Sequence, residues 1–192
     1  DEIAKLMIAK FWDTDAGGFF STGAEHVNLL TRTKPTYDGA EPSGNTMAAT
    51  ALLRLAKLRD EKSYQDKALT VLRINAANMA SAPRGYMKMI CAVDFVVNAP
   101  KEIAFAGAAE GEDTRALMNA LHARFVPNKV VAFYDSAKAD ADLGTRIPLL
   151  KDKTPVNGKA AAYVCKDYAC QLPATTPEEF VTVLGAPKGE AK

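Results

Sequence analysis

Cysteine is scarce in this sequence, with three residues in a chain of 192. Small secreted domains that depend on disulfides carry many cysteines, usually in even number. An odd and small number therefore argues against a secreted disulfide scaffold. A reducing, intracellular compartment is the expectation, either the cytoplasm or an organelle such as the mitochondrion.

Long apolar runs are also missing. The best candidate, Met87–Val97, is interrupted by Lys88 and Asp94 and is shorter than the ~20 residues that a membrane span needs. The chain opens with Asp1-Glu2, without the basic start and apolar block of a signal peptide. Because it also lacks an initiator methionine, we expect it to begin inside a longer reading frame or after processing, which is a first indication of a fragment.

Excess charge of either sign is absent, since the formal net charge is +1. No basic stripe with interleaved aromatic residues occurs, and such a stripe is the usual mark of a nucleic-acid-binding surface. We therefore expect neither nucleic acid nor a membrane among the partners.

The first half of the sequence has helical periodicity. Apolar residues recur at intervals of three and four in 1–13, 45–59, 63–79 and 86–97. The segment 86–97 is apolar nearly all round, which predicts burial on several sides. Consecutive helices with short connections predict a bundle, a solenoid or a toroid.

The pattern changes near Pro100. Short apolar runs predict strands at 102–106, 129–134 and 161–165, and helical periodicity returns at 113–125. Thr176, Pro177 and Glu179 form a helix start of the capping-box type. The sequence thus predicts a helical segment at 1–99, a small α/β unit at 100–185 and a flexible tail at 186–192.

The loop 32–45 carries a specific resemblance. Its sequence RTKPTYDGAEPSGN resembles the R-x-K-x-x-x-D-G-A-x-P-S-G-N stretch of the spermatogenesis-associated protein 20-like family. The resemblance continues, in the same order, through ALLRLA at 51–56, KEI at 101–103, PNKV at 127–130 and AYVC at 162–165. It covers most of the chain.

The resemblance implies a fold. Members of this family look like a thioredoxin-like domain followed by an (α/α)6 toroid, the six-hairpin fold shared with N-acylglucosamine 2-epimerase and many glycosidases. This chain matches the C-terminal part only, so no redox function is carried over from the missing domain. The expected fold class is mainly α: the C-terminal part of an (α/α)6 toroid with a small appended α/β unit. The N-terminal remainder of the same protein, or another chain, would complete the ring.

A loop that precedes a toroid helix lies at the mouth of the central cavity in this fold, so the resemblance makes 32–45 the candidate site. Asp38 and Glu41 are the expected acid and base, as in glycosidases, and His26 is a possible base because imidazole titrates near neutral pH. The residues expected to bind substrate are Arg32, Lys34, Tyr37, Ser43, Asn45 and Trp12. No metal and no cofactor are expected. The alternative is that the polar residues of this loop cap helices and order turns.

Two functions follow from these expectations. The first is that the completed protein acts on a carbohydrate or a sugar-like small molecule, as an epimerase or isomerase would. The second is that the chain is a non-catalytic structural or interaction subunit of a larger assembly derived from such an enzyme. An incomplete ring exposes an apolar face, which favours protein binding.

The cysteines leave alternatives open. Cys165 and Cys170 follow a predicted strand, but no second pair exists to complete a zinc site. They are either a disulfide or two buried thiols, and buried thiols are preferred. Cys91, on the apolar helix, is expected in the core.

Overall fold

The computed structural model describes residues 1–26, 29–138, 140, 142–166 and 169–185. The tail expected at 186–192 lies outside the described residues. The chain divides into two compact units, one comprising Asp1–Ala56 with Asp60–Val97 and the other Lys57–Arg59 with Asn98–Lys192. Across the described ranges, no helix combines the length and apolarity required to span a membrane.

Helices are the main elements of the first unit, called here the helical unit. They are α1 Glu2–Phe11, α2 Gly44–Arg59, α3 Lys62–Ile74, α4 Ala76–Ser81, a 3-10 turn Pro83–Tyr86 and α5 Met87–Val97. The single helix expected at 63–79 is broken at Asn75, whose side chain donates to the carbonyl of Val71 at 2.8 Å. This bond competes with the helical pattern of the main chain, which resumes as α4.

The core of the helical unit comes from one face of each longer helix. Leu52 and Leu53 of α2, and Val71 and Leu72 of α3, are all buried. Burying such a side chain contributes about 1.5–3 kcal/mol, so these faces account for much of the unit's stability.

Helix α5 departs from its expectation. It buries Met89, Ala92 and Phe95 but exposes Met87, Ile90, Cys91 and Val97. Within the helical unit α5 packs on α3 and the 3-10 turn, which can cover only one of its faces. The prediction of burial on several sides is therefore wrong for this chain, and so is the placing of Cys91 in the core.

The second unit, called the α/β unit, contains a small sheet. Its elements are β1 Lys101–Gly107, α6 Glu112–His122, β2 Lys129–Asp135, α7 Leu143–Arg146, a 3-10 turn Pro148–Leu150, β3 Ala161–Lys166, β4 Ala169–Cys170 and α8 Pro177–Leu184. The strand order is β2-β1-β3-β4, with β1 and β2 parallel and the other pairs antiparallel. The parallel pair is connected through α6, as such pairs require.

Helices α6 and α8 contribute to the core on one face of this sheet. The core includes Ile103 and Phe105 of β1 and Leu117 and Leu121 of α6. The Phe180 ring of α8 meets Phe105 edge to face, with centroids 5.5 Å apart. The capping box at Thr176 and Glu179 is present as the sequence predicts. The fold class is confirmed as helices followed by a small α/β unit, whereas membership of a toroid stays a prediction.

Two cysteines join the last strands of the sheet. Cys165 of β3 and Cys170 of β4 are directly opposite in the antiparallel register and form a disulfide. The preference for two buried thiols was therefore wrong, and the alternative is what the structure contains. The sequence alone could not decide this, because the spacing does not reveal that the two residues face each other across a hairpin.

Candidate functional site

The candidate loop 32–45 runs beside a short hairpin between α1 and the loop. Trp12 and Phe19 form an antiparallel bridge, and the amide of Phe20 donates to the carbonyl of Phe11 at 2.9 Å. The hairpin turns through Gly17 and Gly18, whose φ angles of 74° and 83° favour glycine. This turn places Phe19 and Phe20 against the candidate loop.

Asn45 ties the hairpin to the first turn of α2. Its side-chain oxygen accepts from the amide of Phe19 at 2.7 Å, and its side-chain nitrogen donates to the carbonyls of Phe19 at 2.8 Å and Pro35 at 2.9 Å. The side chain is 1% exposed. The carboxamide therefore pairs with Phe19 as a neighbouring strand would, and it joins three chain segments.

Two cations of the loop are also held by the hairpin. Lys34 donates to the carboxylate of Asp13 at 2.6 Å and to the carbonyl of Gly17 at 2.9 Å. The guanidinium of Arg32 lies 3.9 Å from the centroid of the Phe20 ring and donates to the carbonyl of Thr22 at 2.6 Å. Both cations, expected to hold substrate oxygens, thus have partners in the protein. An arginine over an aromatic face adds a favourable electrostatic term.

The Lys34–Asp13 pair predicts a pH dependence. The hydrogen bond from Lys34, with the backbone amides of Asp15 and Ala16, lowers the pKa of Asp13 from 3.8 to about 2. A carboxyl whose pKa is lowered on folding stabilises the fold above its unfolded value, and this contribution is lost as the pH falls. We expect stability to decrease between pH 4 and pH 2, and Lys34→Met to raise the pKa of Asp13 in a carboxyl NMR titration. An unchanged pKa in that variant would show that Lys34 is not the main cause.

Asp38 and Ser43 cap helices. One carboxylate oxygen of Asp38 accepts from the amide of Ser43 at 3.0 Å, and the other accepts from the amide of Met89 at 2.9 Å. Met89 lies in the first turn of α5, where backbone N–H groups have no acceptor within the helix. Asp38 therefore accepts a hydrogen bond from the start of a helix that is distant in sequence. The hydroxyl of Ser43 accepts from the amide of Thr46 and caps α2. These are the contacts that the capping alternative expects.

Of the remaining candidates, Glu41, His26 and Tyr37 are exposed and Trp12 is half-buried. Glu41 is exposed whereas Asp38 is 9% exposed, so the expected acid and base lie in different surroundings. His26 is exposed at the end of the turn after the hairpin. Tyr37 is 66% exposed and meets Tyr86 edge to face, with centroids 6.4 Å apart. Trp12 packs edge to face on Phe19 at 5.0 Å.

Three contacts of the site were not predicted from the sequence. Asp13 holds Lys34, Phe20 lies under Arg32, and the main chain of Met89 holds Asp38. Asp13 carried a signal, because an aspartate just before a glycine turn often orders it. Met89 carried no such signal, because its backbone amide makes the contact with Asp38.

The chain therefore combines a helical unit with an α/β unit. Buried polar residues of the loop 32–45 stabilise the helical unit. Human spermatogenesis-associated protein 20 is 34% identical to this chain over 175 residues, which is 91% of the chain and 22% of that protein. The rat protein of the same name is 33% identical over the same length. An uncharacterized protein of Caenorhabditis elegans is 26% identical over 180 residues, 24% of its length. No protein-family model matches the chain.

The resemblance expected from the loop 32–45 is thus confirmed: the chain is a relative of spermatogenesis-associated protein 20. It spans about a fifth of the length of these curated relatives.

Proposed function

We propose that the helical unit is an interaction module that packs against further helices of a longer polypeptide and so forms part of a larger helical assembly. The observation that carries this proposal is that helix α1 exposes two of its large apolar side chains. Ile3 is 84% exposed and Leu6 is 55% exposed, and among the residues of α1 only Ala4 is buried.

An exposed apolar face on such a helix has a physical meaning. Ile3 and Leu6 are three positions apart and lie on one side of α1. Burial of each side chain against a partner would contribute about 1.5–3 kcal/mol to the free energy of association. Other large apolar side chains exposed on the helices of the helical unit are Met47, Ile74, Met87, Ile90 and Val97. Soluble monomers rarely leave large apolar patches uncovered.

The proposed occupant is a set of amphipathic helices from the rest of the polypeptide. The relatives are several times longer than this chain, which spans about a fifth of their length. Helices that pack against α1 would need an apolar stripe opposite Ile3 and Leu6, the ordinary geometry of helix packing. Completion of an (α/α)6 toroid is one arrangement that meets this requirement, with the same polypeptide or another chain as its source.

The variant Leu6→Lys tests this role in two settings. In the 192-residue chain alone, the free energy of unfolding should change by about 0.5 kcal/mol or less, because the side chain is already exposed. In the longer polypeptide the same variant should cost about 2–3 kcal/mol, because a charge would replace a buried leucine. Chemical denaturation followed by circular dichroism measures both.

The matched control is Glu2→Lys, which alters an exposed position of the same helix. It should have a small effect in both settings. An equally small effect of Leu6→Lys in the longer polypeptide would refute the proposal, because α1 would then be exposed there too.

A second candidate function is action on a carbohydrate or sugar-like molecule, as an epimerase or isomerase, within the completed assembly. The observation that favours it is the exposed ring of Tyr37 beside Tyr86, in the same loop as exposed Glu41. An exposed aromatic face suits the apolar side of a sugar ring, and a carboxylate suits its hydroxyl groups. Arg32, Lys34 and Asp38 would then act by holding the loop in place.

Turnover assays on the longer polypeptide with a panel of aldoses and N-acylated amino sugars test this function. Glu41→Gln should lower kcat, and Tyr37→Ala should raise KM, while neither changes the melting temperature much. Full activity in both variants would remove these two residues from the proposed role.

A further inference from the structure

Strand β2 lies at one edge of the sheet in the α/β unit. Its pairing is with β1, in parallel register from Lys101 opposite Lys129 to Gly107 opposite Asp135. Among the described residues, no strand pairs with its other side. In such an edge strand, alternate backbone N–H and C=O groups point away from the sheet and can pair with another strand.

The sequence of β2 lacks the usual protection of an edge. Its five central residues, VVAFY at 130–134, contain no charge, no proline and no glycine. Val131 is 41% exposed. Edge strands of proteins that stay monomeric commonly carry a lysine or a proline in the middle of the strand, or a bulge. At seven residues, β2 is slightly longer than the usual length of about five to six residues, whereas many edge strands are very short.

The two charges of β2 lie at its opposite ends. Lys129 opens the strand and Asp135 closes it. When two copies of this strand pair antiparallel about Ala132, each Lys129 lies opposite the partner copy's Asp135, and each Val131 lies opposite the partner copy's Phe133. Parallel pairing in register would instead align like charges, which is unfavourable.

We propose that β2 pairs antiparallel with β2 of a second copy of this chain, around a two-fold axis through Ala132, to form a symmetric dimer. The two four-stranded sheets then join into one continuous sheet. A two-fold interface of this kind is closed, so it stops at two copies and does not grow into a filament.

The surroundings of the two terminal charges are compatible with this pairing. The Lys129 ammonium donates to the carbonyl of Val126 at 2.8 Å and stays close to the start of the strand. The pKa of the Asp135 carboxyl is lowered, first by a hydrogen bond from the amide of Ala109, so the group is negative at neutral pH. Its contact with Lys138, at 3.4 Å, involves an exposed lysine that can move aside.

Analytical ultracentrifugation of the 192-residue chain over a concentration series is the first test, with hydrogen–deuterium exchange on the same samples. The expected result is a monomer–dimer equilibrium in which the amides of β2 that face away from β1 become protected as the dimer forms. The amides of α1 and α5 should exchange at the same rate throughout.

Two variants and a control sharpen the test. Val131→Lys should raise the dimer dissociation constant by about tenfold or more. The two-fold axis places the substitution in the interface twice, and each new lysine lies opposite an uncharged residue. Lys129→Glu should also raise it, because glutamate would face the partner copy's Asp135. Leu172→Lys, an 86% exposed residue beyond the opposite edge strand, is the matched control and should leave dimerisation unchanged.

Three results would overturn the proposal. The first is a monomer at all concentrations up to about a millimolar. The second is a dimer without concentration-dependent protection in β2. The third is a dimer that Leu6→Lys weakens and Lys129→Glu does not, because association would then run through the helical unit. If circular dichroism shows that the Val131→Lys variant does not fold, the dissociation constant of the Lys129→Glu variant decides the test.

Discussion

Replacing Asn45 by alanine should lower the free energy of unfolding by about 3–4 kcal/mol, because three hydrogen bonds of an almost fully buried side chain would be lost. The variant leaves the amide and carbonyl of Phe19 and the carbonyl of Pro35 without the partners that Asn45 supplies. The site is almost fully buried, so water cannot readily replace the side chain. Urea denaturation of the 192-residue chain measures this loss.

The matched control for this variant is Asn78→Ala. Asn78 is an exposed asparagine within α4, where alanine is the better helix former, so we expect a change of about 0.5 kcal/mol or less. If Asn45→Ala were as mild as this control, the three hydrogen bonds would not support the helical unit.

Asp38→Ala and Glu41→Ala form a matched pair, since both remove a carboxylate from the same loop. Asp38→Ala should cost about 2–4 kcal/mol, because two buried backbone amides lose a charged acceptor. Glu41→Ala should change stability by about 0.5 kcal/mol or less, because the residue is exposed. Thermal and urea unfolding of the two variants, side by side, measure the difference.

Equal effects of the two substitutions would contradict the structural role of Asp38. A large loss for Asp38→Ala would also change how activity data are read. A lost activity in that variant would reflect the disturbed starts of α2 and α5 as much as any part in catalysis. Glu41→Gln is therefore the better test of proton transfer in this loop.

Most element types of the chain could be predicted from local pattern. The period of apolar residues located α1, α2 and α6, and the capping box located the start of α8. The break at Asn75 was missed, because it depends on one side-chain hydrogen bond to the main chain. The exposure of α5 was missed for another reason. Its sequence is apolar nearly all round, but the described residues of the helical unit supply neighbours for one face only.

The candidate loop was located from its residues, but the contacts of those residues were not. A sequence shows that Asp38, Ser43 and Asn45 are polar and close together along the chain. It does not show that Asp38 reaches the amide of Met89, 51 positions away, or that Asn45 reaches Phe19, 26 positions away. Such contacts between distant positions bury Asp38 and Asn45, whereas Tyr37 and Glu41 of the same loop are exposed.

The sequence by itself determined the order of helices and strands and the kinship with spermatogenesis-associated protein 20, because periodicity, caps and the motif at 32–45 are local properties of the chain. Tertiary structure alone decided which polar residues of that loop are buried, which face of α5 is exposed and how Cys165 meets Cys170. The physical reason is that burial and pairing depend on neighbours brought together from distant parts of the chain, and no local pattern encodes those neighbours.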